Sequence, residues 1–431
     1  MQYRSYNLNN FRKIPQLRRI KADLKFDIEV VGNILPFKVN NYVIEQMIDW
    51  DNPESDPIFR MTFPHREMLL PEHYEEMADL LRKKADPIQI KRKANKIRMK
   101  LNPHPAGQLE LNVPTFEGKI MRGLQHKYNE TVLFFPNRGQ TCHAYCTFCF
   151  RWPQFVGMNK LKFAMRQTEM VVSYLKHHPE VTDLLITGGD PLTMKTKFLR
   201  YIIRSIIRAK LDNIINIRIG SKALSYWPYR FLSDDDAGEL IRLFKRVNKR
   251  GKRIEFMAHF NHPRELESRP VHDAVKRIID TGTIIRTQAP VLKNINDDSQ
   301  VWEKMWKEQV RLGMIPYYMF IARNTGAQHY FAIPLVRALE IYNNAFRKVS
   351  GLSRTARGPV MSANPGKIQI VGVQEVKGEK VFVLKFIQAR DPDWVGIPYF
   401  ATFDENAIWR NDLKPAFGEA CFFYEEEKKE L

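Results

Sequence analysis

The chain has 431 residues, of which 44% are apolar, so it can bury a sizeable core in one large domain or in two or three domains. Its 68 Lys and Arg outnumber its 48 Asp and Glu, and a formal charge of +20 favours anionic partners. A solvated basic surface is the plainer interpretation, because no RNA-binding motif accompanies the charge, and nucleic acid is not an expected partner. With four cysteines there is no disulfide framework, and with no apolar leader and no run of about 18 apolar residues the chain is expected to be cytoplasmic, without a membrane span.

Residues 1–130 are predicted to form a helical N-terminal region. The stretch 71-PEHYEEMADLLR-82 is typical of a helix that begins at its proline. Pro103, Pro105 and Pro114 predict an irregular connector before the next region.

In residues 131–335, short β-rich runs alternate with longer helical stretches. The predicted strands are Val132–Pro136, Asp183–Thr187, Ile214–Ile219, Arg253–His259, Ile284–Leu292 and Ile315–Ala322. The predicted helices are Gln167–His177, Lys197–Ala209, Asp236–Arg250, Pro270–Asp280 and Ser299–Leu312. Six such units predict an α/β fold with a partial (β/α)6 TIM-like barrel, whose functional side chains belong at the carboxyl ends of the strands.

Residues 336–431 are predicted to form a C-terminal α+β segment. A helical pattern covers Ile333–Val349, and Ile368–Val373 with Lys380–Phe386 predicts a hairpin around 376-VKGE-379.

Three cysteines follow the first predicted strand: Cys142, Cys146 and Cys149, spaced C-x3-C-x2-C. Three thiolates can hold three irons of a [4Fe–4S] cluster and leave the fourth iron open, whereas such clusters normally have four cysteines. A zinc site is an alternative, with Cys421 or His143 as the fourth ligand. Unrelated buried thiols are another.

Further motifs follow the other predicted strands. They are 188-GGDPL-192, 218-RIGSK-222, 259-HFNHP-263, Gln288 with 293-KNIND-297, and 316-PYY-318, and 49-DWDNPESDPIFRMTFPHR-66 lies upstream. Together with the cysteines they resemble the lysine 2,3-aminomutase family of the radical S-adenosylmethionine (SAM) superfamily, over about residues 40–375. The resemblance implies an isomerase in which SAM chelates the open iron, and one electron releases a 5′-deoxyadenosyl radical that abstracts a substrate hydrogen. It also implies SAM contacts at Gly188, Gly189, Asp190, Ser221, His259 and Gln288.

The family also uses a lysine that holds pyridoxal phosphate (PLP), in a glycine-rich loop after the barrel. Here the matching segment is 362-SANPGKIQI-370 and the matching lysine is Lys367, although the run of glycines is cut to Gly366. Two arginines that support PLP in the family are replaced by Lys127 and Thr131. Lys127 can still meet a phosphate as a point charge.

The resemblance assigns the substrate to two arginines. Arg151 matches an arginine that clamps the substrate carboxylate. Arg323 stands where the lysine-specific enzymes have an acid, and no acid lies between Gly358 and Lys367. Burying an ammonium without a partner is costly, so the expected substrate is an acidic or polar amino acid rather than lysine. Asn364 is expected beside Arg323, where both would suit an anionic side chain. The family includes glutamate 2,3-aminomutases with a similar replacement.

Two other functions are open from the sequence. One is a radical SAM enzyme without PLP that acts on a protein residue or a nucleic acid, and the other is a metal-binding protein that is not an enzyme. For the enzyme we expect an electron donor such as flavodoxin or ferredoxin, and a homo-oligomer by analogy.

Overall fold

Eleven strands form one mixed sheet in the computed structural model, which describes residues 1–426 of the chain. Their spatial order is their order along the chain. They are β5 (Leu124–Tyr128), β6 (Thr131–Phe134), β7 (Asp183–Ile186), β8 (Asn216–Ser221), β9 (Arg253–His259), β10 (Ile284–Val291), β11 (Ile315–Ile321), β12 (Arg357–Ser362), β13 (Gly366–Val376), β14 (Glu379–Ala389) and β15 (Pro398–Thr402). The fold is therefore mixed α/β.

The strands β6 to β12 run parallel, and helices connect them. The helices are α6 (Thr168–Lys176), α7 (Thr196–Arg208), α8 (Ala223–Tyr226), α9 (Tyr229–Leu232), α10 (Ala237–Lys249), α11 (Arg269–Ile279), α12 (Ser299–Arg311), α13 (Gln328–Phe331) and α14 (Leu335–Arg347). The helix α7 is representative, since its buried Leu199, Ile202, Ile203 and Ile206 recur at helical spacing and make one apolar stripe that packs on the sheet. All six predicted strands are present, and β12 adds a seventh parallel strand that the sequence did not reveal.

The N-terminal region has its own apolar core, which continues under the cysteine segment. Its elements are β1 (Ser5–Asn7), α1 (Ala22–Gly32), β2 (Lys38–Asn40), α2 (Asn41–Gln46), α3 (Pro57–Thr62), α4 (Pro71–Arg82) and α5 (Pro87–Lys100), followed by the short hairpin β3 (Thr115–Phe116) and β4 (Lys119–Ile120). Asp56 caps α3 by accepting the Phe59 N–H at 2.7 Å. Ala144, which lies between the first two cysteines, and Trp152, which follows the third, pack in the same core as these helices.

The C-terminal strands extend the sheet with antiparallel pairs. The hairpin β13–β14 is longer than predicted, and Ser362 of β12 lies opposite Lys367 of β13. The helix α15 (Phe423–Glu426) ends the described part of the chain.

The sheet curls on itself. Although β5 and β14 stand at nearly opposite ends of the strand order, their Cα atoms come within 8 Å of each other. The inner face of the curl therefore surrounds a space. The sheet begins at Leu124, ahead of the predicted boundary at residue 130, and the division into domains stays a prediction. No helix of residues 1–426 is both long and apolar enough to cross a membrane.

Candidate active site

A cavity of about 350 Å³ lies inside the curled sheet, within the size range of small-molecule sites. Strands from β5 to β14 and the cysteine segment form its walls. Thirteen of the candidate site residues predicted from the sequence line it: Lys127, Cys142, Cys146, Cys149, Arg151, Gly188, Gly189, Asp190, Ser221, His259, Gln288, Arg323 and Lys367. The fold thus brings together residues that are far apart in the sequence.

The N-terminal region holds the cysteine segment in place. Lys38 Nζ donates to the Cys142 carbonyl at 2.8 Å, and the Tyr145 N–H donates to the Lys38 carbonyl at 2.7 Å. The Thr147 N–H donates to the Met61 carbonyl at 2.9 Å. These hydrogen bonds could not be predicted from the sequence, because most of them join backbone groups and no motif encodes them.

The cysteine sulfurs are spread too widely for one zinc ion. Within residues 1–426, the group of His, Cys, Asp or Glu whose ligand atoms all lie within 4.8 Å of one another is His126, His178 and Glu180. The three cysteines form no such group, whereas Zn–S bonds of about 2.3 Å would bring thiolates within about 4 Å of each other. Cys421 is not among the residues that line the cavity. The spacing therefore favours a cluster in which each thiolate binds its own iron.

Burial keeps the three thiols protonated when no metal is bound. It raises the pKa of Cys142, with Asp190 adding to the effect, and it raises the pKa of Cys149 to about 12. The pKa of Cys146 is also raised by burial, and its Sγ lies 3.7 Å from the Tyr226 hydroxyl. Thiolate formation here therefore needs a metal to replace the proton.

The glycines after β7 pack against the start of the cysteine segment. Gly188 has a φ of +149°, which favours glycine, and it lies against the Gln140 side chain. The Gly189 N–H donates to the Gly139 carbonyl at 3.1 Å, and the Asp190 N–H donates to the Thr141 carbonyl at 2.6 Å. Gly189 therefore allows two backbones to meet, and the predicted contact of both glycines with SAM stays a prediction.

Gly189→Ala should destabilise the protein and loosen the cysteine segment. An added Cβ would lie 2.5 Å from the Thr141 carbonyl oxygen, a backbone atom that cannot rotate away. We expect a loss of roughly 1–3 kcal/mol and a lower iron content, measured by thermal unfolding and by iron analysis. In the control Gly372→Ala, the added Cβ meets nothing within 4 Å, so its melting temperature should stay near that of the wild type. Equal melting temperatures for the two variants would contradict the tight packing.

Asp190 ties the ends of β7 and β8 together. Its carboxylate accepts from the Leu192 N–H at 2.9 Å, from Ser221 Oγ at 2.8 Å and from the Lys222 N–H at 2.9 Å. These contacts occupy both carboxylate oxygens and the Ser221 hydroxyl proton. Asp190 and Ser221 therefore shape the cavity wall through each other.

Neutral polar groups continue the wall at β9 and β10. Burial, with the nearby Lys222 ammonium, lowers the pKa of His259 to about 3, so its imidazole is neutral. Gln288 Nε2 lies 3.1 Å from His259 Nε2. Because an amide N–H can only donate, the His259 Nε2 accepts this bond. Lys222 itself pairs with the fully buried Glu265.

Two arginines flank one aromatic ring. The guanidinium carbon of Arg323 lies 4.3 Å from the centre of the Phe150 ring, and that of Arg151 lies 5.0 Å from the same ring. Burial lowers the pKa of Arg151 to about 9, with Arg323 contributing, and burial lowers the pKa of Arg323 to about 10. The two cations are therefore held close together, which favours an anion between or beside them.

The structure pairs Arg323 with Ser362, whereas the sequence interpretation placed Asn364 beside it. Arg323 Nη2 donates to Ser362 Oγ at 2.8 Å. The Asn364 Oδ1 instead accepts from Arg390 Nη2 at 2.8 Å, and Asn364 does not line the cavity. The difference arises because Asn364 lies in the β12–β13 turn, where Arg390 reaches it from the end of β14.

Lys367 lies at the start of β13 with its amine facing the cavity. Its Nζ donates to Gln388 Oε1 and lies 4.5 Å from the centre of the Tyr128 ring and 5.5 Å from that of Tyr318. Burial lowers the pKa of Lys367 to about 7, and Arg218, Arg357 and Arg323 contribute in that order. A sizeable fraction of the amine is therefore unprotonated and nucleophilic near neutral pH.

Lys127, which belongs to β5, lies near Lys367. Its Nζ donates to the Ala363 carbonyl, and burial, with Arg323 and Lys367 nearby, lowers its pKa. Tyr318 belongs to the quoted motif 316-PYY-318, whereas the sequence did not single out Gln388 and Tyr128, because an amide or a ring on a strand carries no signal until the strands are placed.

Comparisons with known proteins support one family. No protein-family model matches the chain. A protein of Aquifex aeolicus named "Putative L-lysine 2,3-aminomutase" is 32% identical over 401 residues, which are 92% of this chain and 92% of that protein. The L-lysine 2,3-aminomutase of Bacillus subtilis is 28% identical over 54% of this chain and 47% of its own length. Streptococcus suis SuiB bound to S-adenosylmethionine, a solved structure, covers 63% of this chain and 56% of its own, with 14% identity and a TM-score of 0.36, too low to establish a shared fold.

A C-x3-C-x2-C segment after the first parallel strand, beside a cavity that Lys and Arg side chains line, defines a radical SAM protein. Within that class, the similarity over 92% of its length means that the chain belongs to the lysine 2,3-aminomutase family. It is thus an enzyme of the aminomutase type, an isomerase, with a [4Fe–4S] cluster and SAM as cofactors and PLP in the family's cofactor set.

Proposed function

We propose that the enzyme moves an amino group from Cα to Cβ of an amino acid with an acidic or polar side chain, with PLP held by Lys367. One observation carries the proposal. A single cavity contains three cysteines, a half-buried lysine whose pKa is lowered to about 7, five further Lys and Arg side chains, and one acid.

The residues around Lys367 fit PLP. An unprotonated amine can attack the carbonyl carbon of the coenzyme, and Lys127 can face its phosphate. The rings of Tyr128 and Tyr318 supply flat apolar surfaces beside the amine. The donor set therefore suits a phosphorylated aromatic aldehyde.

The cofactors supply the bond-breaking chemistry when bound, in that SAM on the cluster gives a hydrogen-abstracting radical and PLP permits the nitrogen to migrate. The protein contributes position. Cys142, Cys146 and Cys149 would each hold one iron of the cluster, and His259 and Gln288 would present neutral polar groups to SAM. Aromatic side chains that line the cavity would keep water out of it: Phe148, Phe150, Phe155 and Phe331.

The charges of the cavity support an anionic or polar substrate. Arg151 would bind the α-carboxylate, and Arg323 the far end of the substrate, since bidentate arginine–carboxylate pairs fix orientation. Asp190 is the acid among the lining residues. Its carboxylate already accepts hydrogen bonds from the Leu192 N–H, the Ser221 hydroxyl and the Lys222 N–H. A lysine side chain would find no free carboxylate here, so its ammonium would be buried unpaired.

Other expectations belong to the same proposal. The parallel strands form a partial (β/α)6 barrel between a helical N-terminal region and a C-terminal segment, as the curl between β5 and β14 supports. A flavodoxin or ferredoxin donates the electron, and the enzyme is a homo-oligomer.

The proposal is tested by anaerobic reconstitution with iron, sulfide and PLP, followed by borohydride reduction. Mass spectrometry should locate the coenzyme on Lys367. Dithionite, SAM and a panel of amino acids should then yield a β-amino product from glutamate or aspartate and none from lysine. SAM cleavage without any PLP attachment would overturn the proposal in favour of a radical enzyme that does not use PLP.

The attachment of PLP should depend on pH with a midpoint near 7. Only the unprotonated amine reacts, and burial lowers the pKa of Lys367 to about 7. The rate should therefore rise about tenfold per pH unit below the midpoint and level off above it, as stopped-flow absorbance can measure. Lys367→Ala should show no attachment, and Lys377→Ala, at the exposed turn of the β13–β14 hairpin, should behave as wild type. A midpoint near 10 would mean that Lys367 is not the reacting group.

A further inference from the structure

One cation of the cavity has no role in the proposed function. Lys127, Arg151, Arg218, Lys222, Arg323 and Lys367 line the cavity. Lys222 is neutralised by Glu265, and four of the others are assigned above to PLP or to the substrate. Arg218 remains.

Arg218 lies on β8 and lines the same cavity as Lys367. Its side chain is 17% exposed, and its Nη1 lies 3.8 Å from the Asp183 Oδ2, at the outer limit of an ion pair. After burial, its charge makes the largest contribution to lowering the pKa of Lys367. A guanidinium has five N–H donors, so Arg218 can still donate to an anion in the cavity.

Two strands away, on β6, the cavity wall has Thr131 instead of a cation. Thr131 occupies the position at which the family has its second PLP-supporting arginine, and a threonine brings no charge. In the strand register Thr131 lies directly beside Asp183, the residue that the Arg218 guanidinium approaches. Arg218 thus extends from a strand two places away toward the position that the missing arginine would serve.

A phosphate monoester carries nearly two negative charges at neutral pH, more than Lys127 alone can balance. An arginine fork binds phosphate through two parallel hydrogen bonds. We propose that Arg218, together with Lys127, binds the phosphate of PLP in place of the arginine missing at position 131. This inference rests on the proposed use of PLP at Lys367.

The test compares PLP with pyridoxal, which has the same aldehyde and no phosphate. Each is titrated into wild-type protein and into Arg218→Gln, and attachment is followed by absorbance and by mass after borohydride. Loss of a charged phosphate contact should weaken PLP binding roughly 10- to 100-fold, whereas pyridoxal should bind both proteins within about twofold. The control is Arg286→Gln. In the wild type Arg286 pairs with Glu255 at 2.9 Å and does not line the cavity, so both ligands should bind this variant as they bind the wild type.

The outcomes separate the inference from the function on which it depends. If wild-type protein attaches neither ligand, both proposals are overturned. If wild type attaches PLP and Arg218→Gln binds it equally well, the phosphate contact is wrong while the proposed function stands. Equal weakening of PLP and pyridoxal binding would also overturn the contact, because Arg218 would then act on the amine alone.

If Arg218→Gln does not fold, Arg218→Lys replaces it in the test, since lysine keeps the positive charge but cannot donate two parallel hydrogen bonds to phosphate. We expect weaker PLP binding and unchanged pyridoxal binding, and unchanged PLP binding would reject the contact.

Discussion

Replacing any one of Cys142, Cys146 and Cys149 with alanine should abolish SAM cleavage. In the proposed site each thiolate would hold a different iron, so two ligands should not retain the cluster. Changes to groups that only support a metal ligand already cost 10- to 100-fold in affinity, and loss of a ligand should exceed roughly 100-fold. The measurements are iron per chain, the visible absorbance of the cluster, and 5′-deoxyadenosine formed with dithionite and SAM.

Cys421→Ala is the matched control. It removes the one remaining cysteine of the chain, which lies in the C-terminal segment and does not line the cavity. Its iron content and SAM cleavage should equal those of the wild type. If Cys421→Ala also lost iron, a four-cysteine site would replace the open cluster.

The sequence predicted the parallel core well because periodicity reports which faces are buried. Strands such as Arg253–His259 match the prediction to the residue, and Asp183–Ile186 differs by one position. The strand β12 was missed because Gly358 and Pro359 interrupt its pattern, and both residues usually oppose a strand assignment.

The candidate site was predicted as a set of residues, but its internal contacts were not. Strand-end motifs identified Asp190 and Ser221, whereas their bond to each other depends on the register of β7 with β8. Arg218 lay within a quoted motif, yet nothing in its neighbourhood along the chain indicated that it lines the same cavity as Lys367. Such contacts are set by how strands align, which local sequence does not encode.

The same limit explains why Asn364 was misplaced. Its position just before Lys367 indicated a residue of the site, but Arg390, which is 26 positions away, binds both its carbonyl and its side chain. Ser362, the last residue of β12, accepts from Arg323 instead, because Asn364 lies beyond the strand in the turn that Arg390 reaches. The polar group that accompanies Arg323 is therefore a hydroxyl, which can accept from the guanidinium without neutralising it.

Arg323→Asp should reverse the charge preference of the site. An acidic amino acid would lose its arginine partner and meet a like charge, so kcat/KM for it should fall by at least about 100-fold. Binding of lysine should improve at the same time, because its ammonium would gain a carboxylate. Steady-state rates with both amino acids, and their competition for the reconstituted enzyme, measure the two effects.

Two controls show whether the effect belongs to this position. Arg337→Asp makes the same charge change on the exposed face of α14, where the arginine is paired only with Glu340, and should leave both rates unchanged. Arg323→Gln removes the charge and can still donate to Ser362, so it should weaken the acidic substrate without helping lysine. If Arg323→Asp lowered both substrates equally, the arginine would be supporting the cavity wall beside Phe150. If neither rate moved, the far end of the substrate would lie elsewhere, and the excess of cations in the cavity would then serve the phosphate and the α-carboxylate alone.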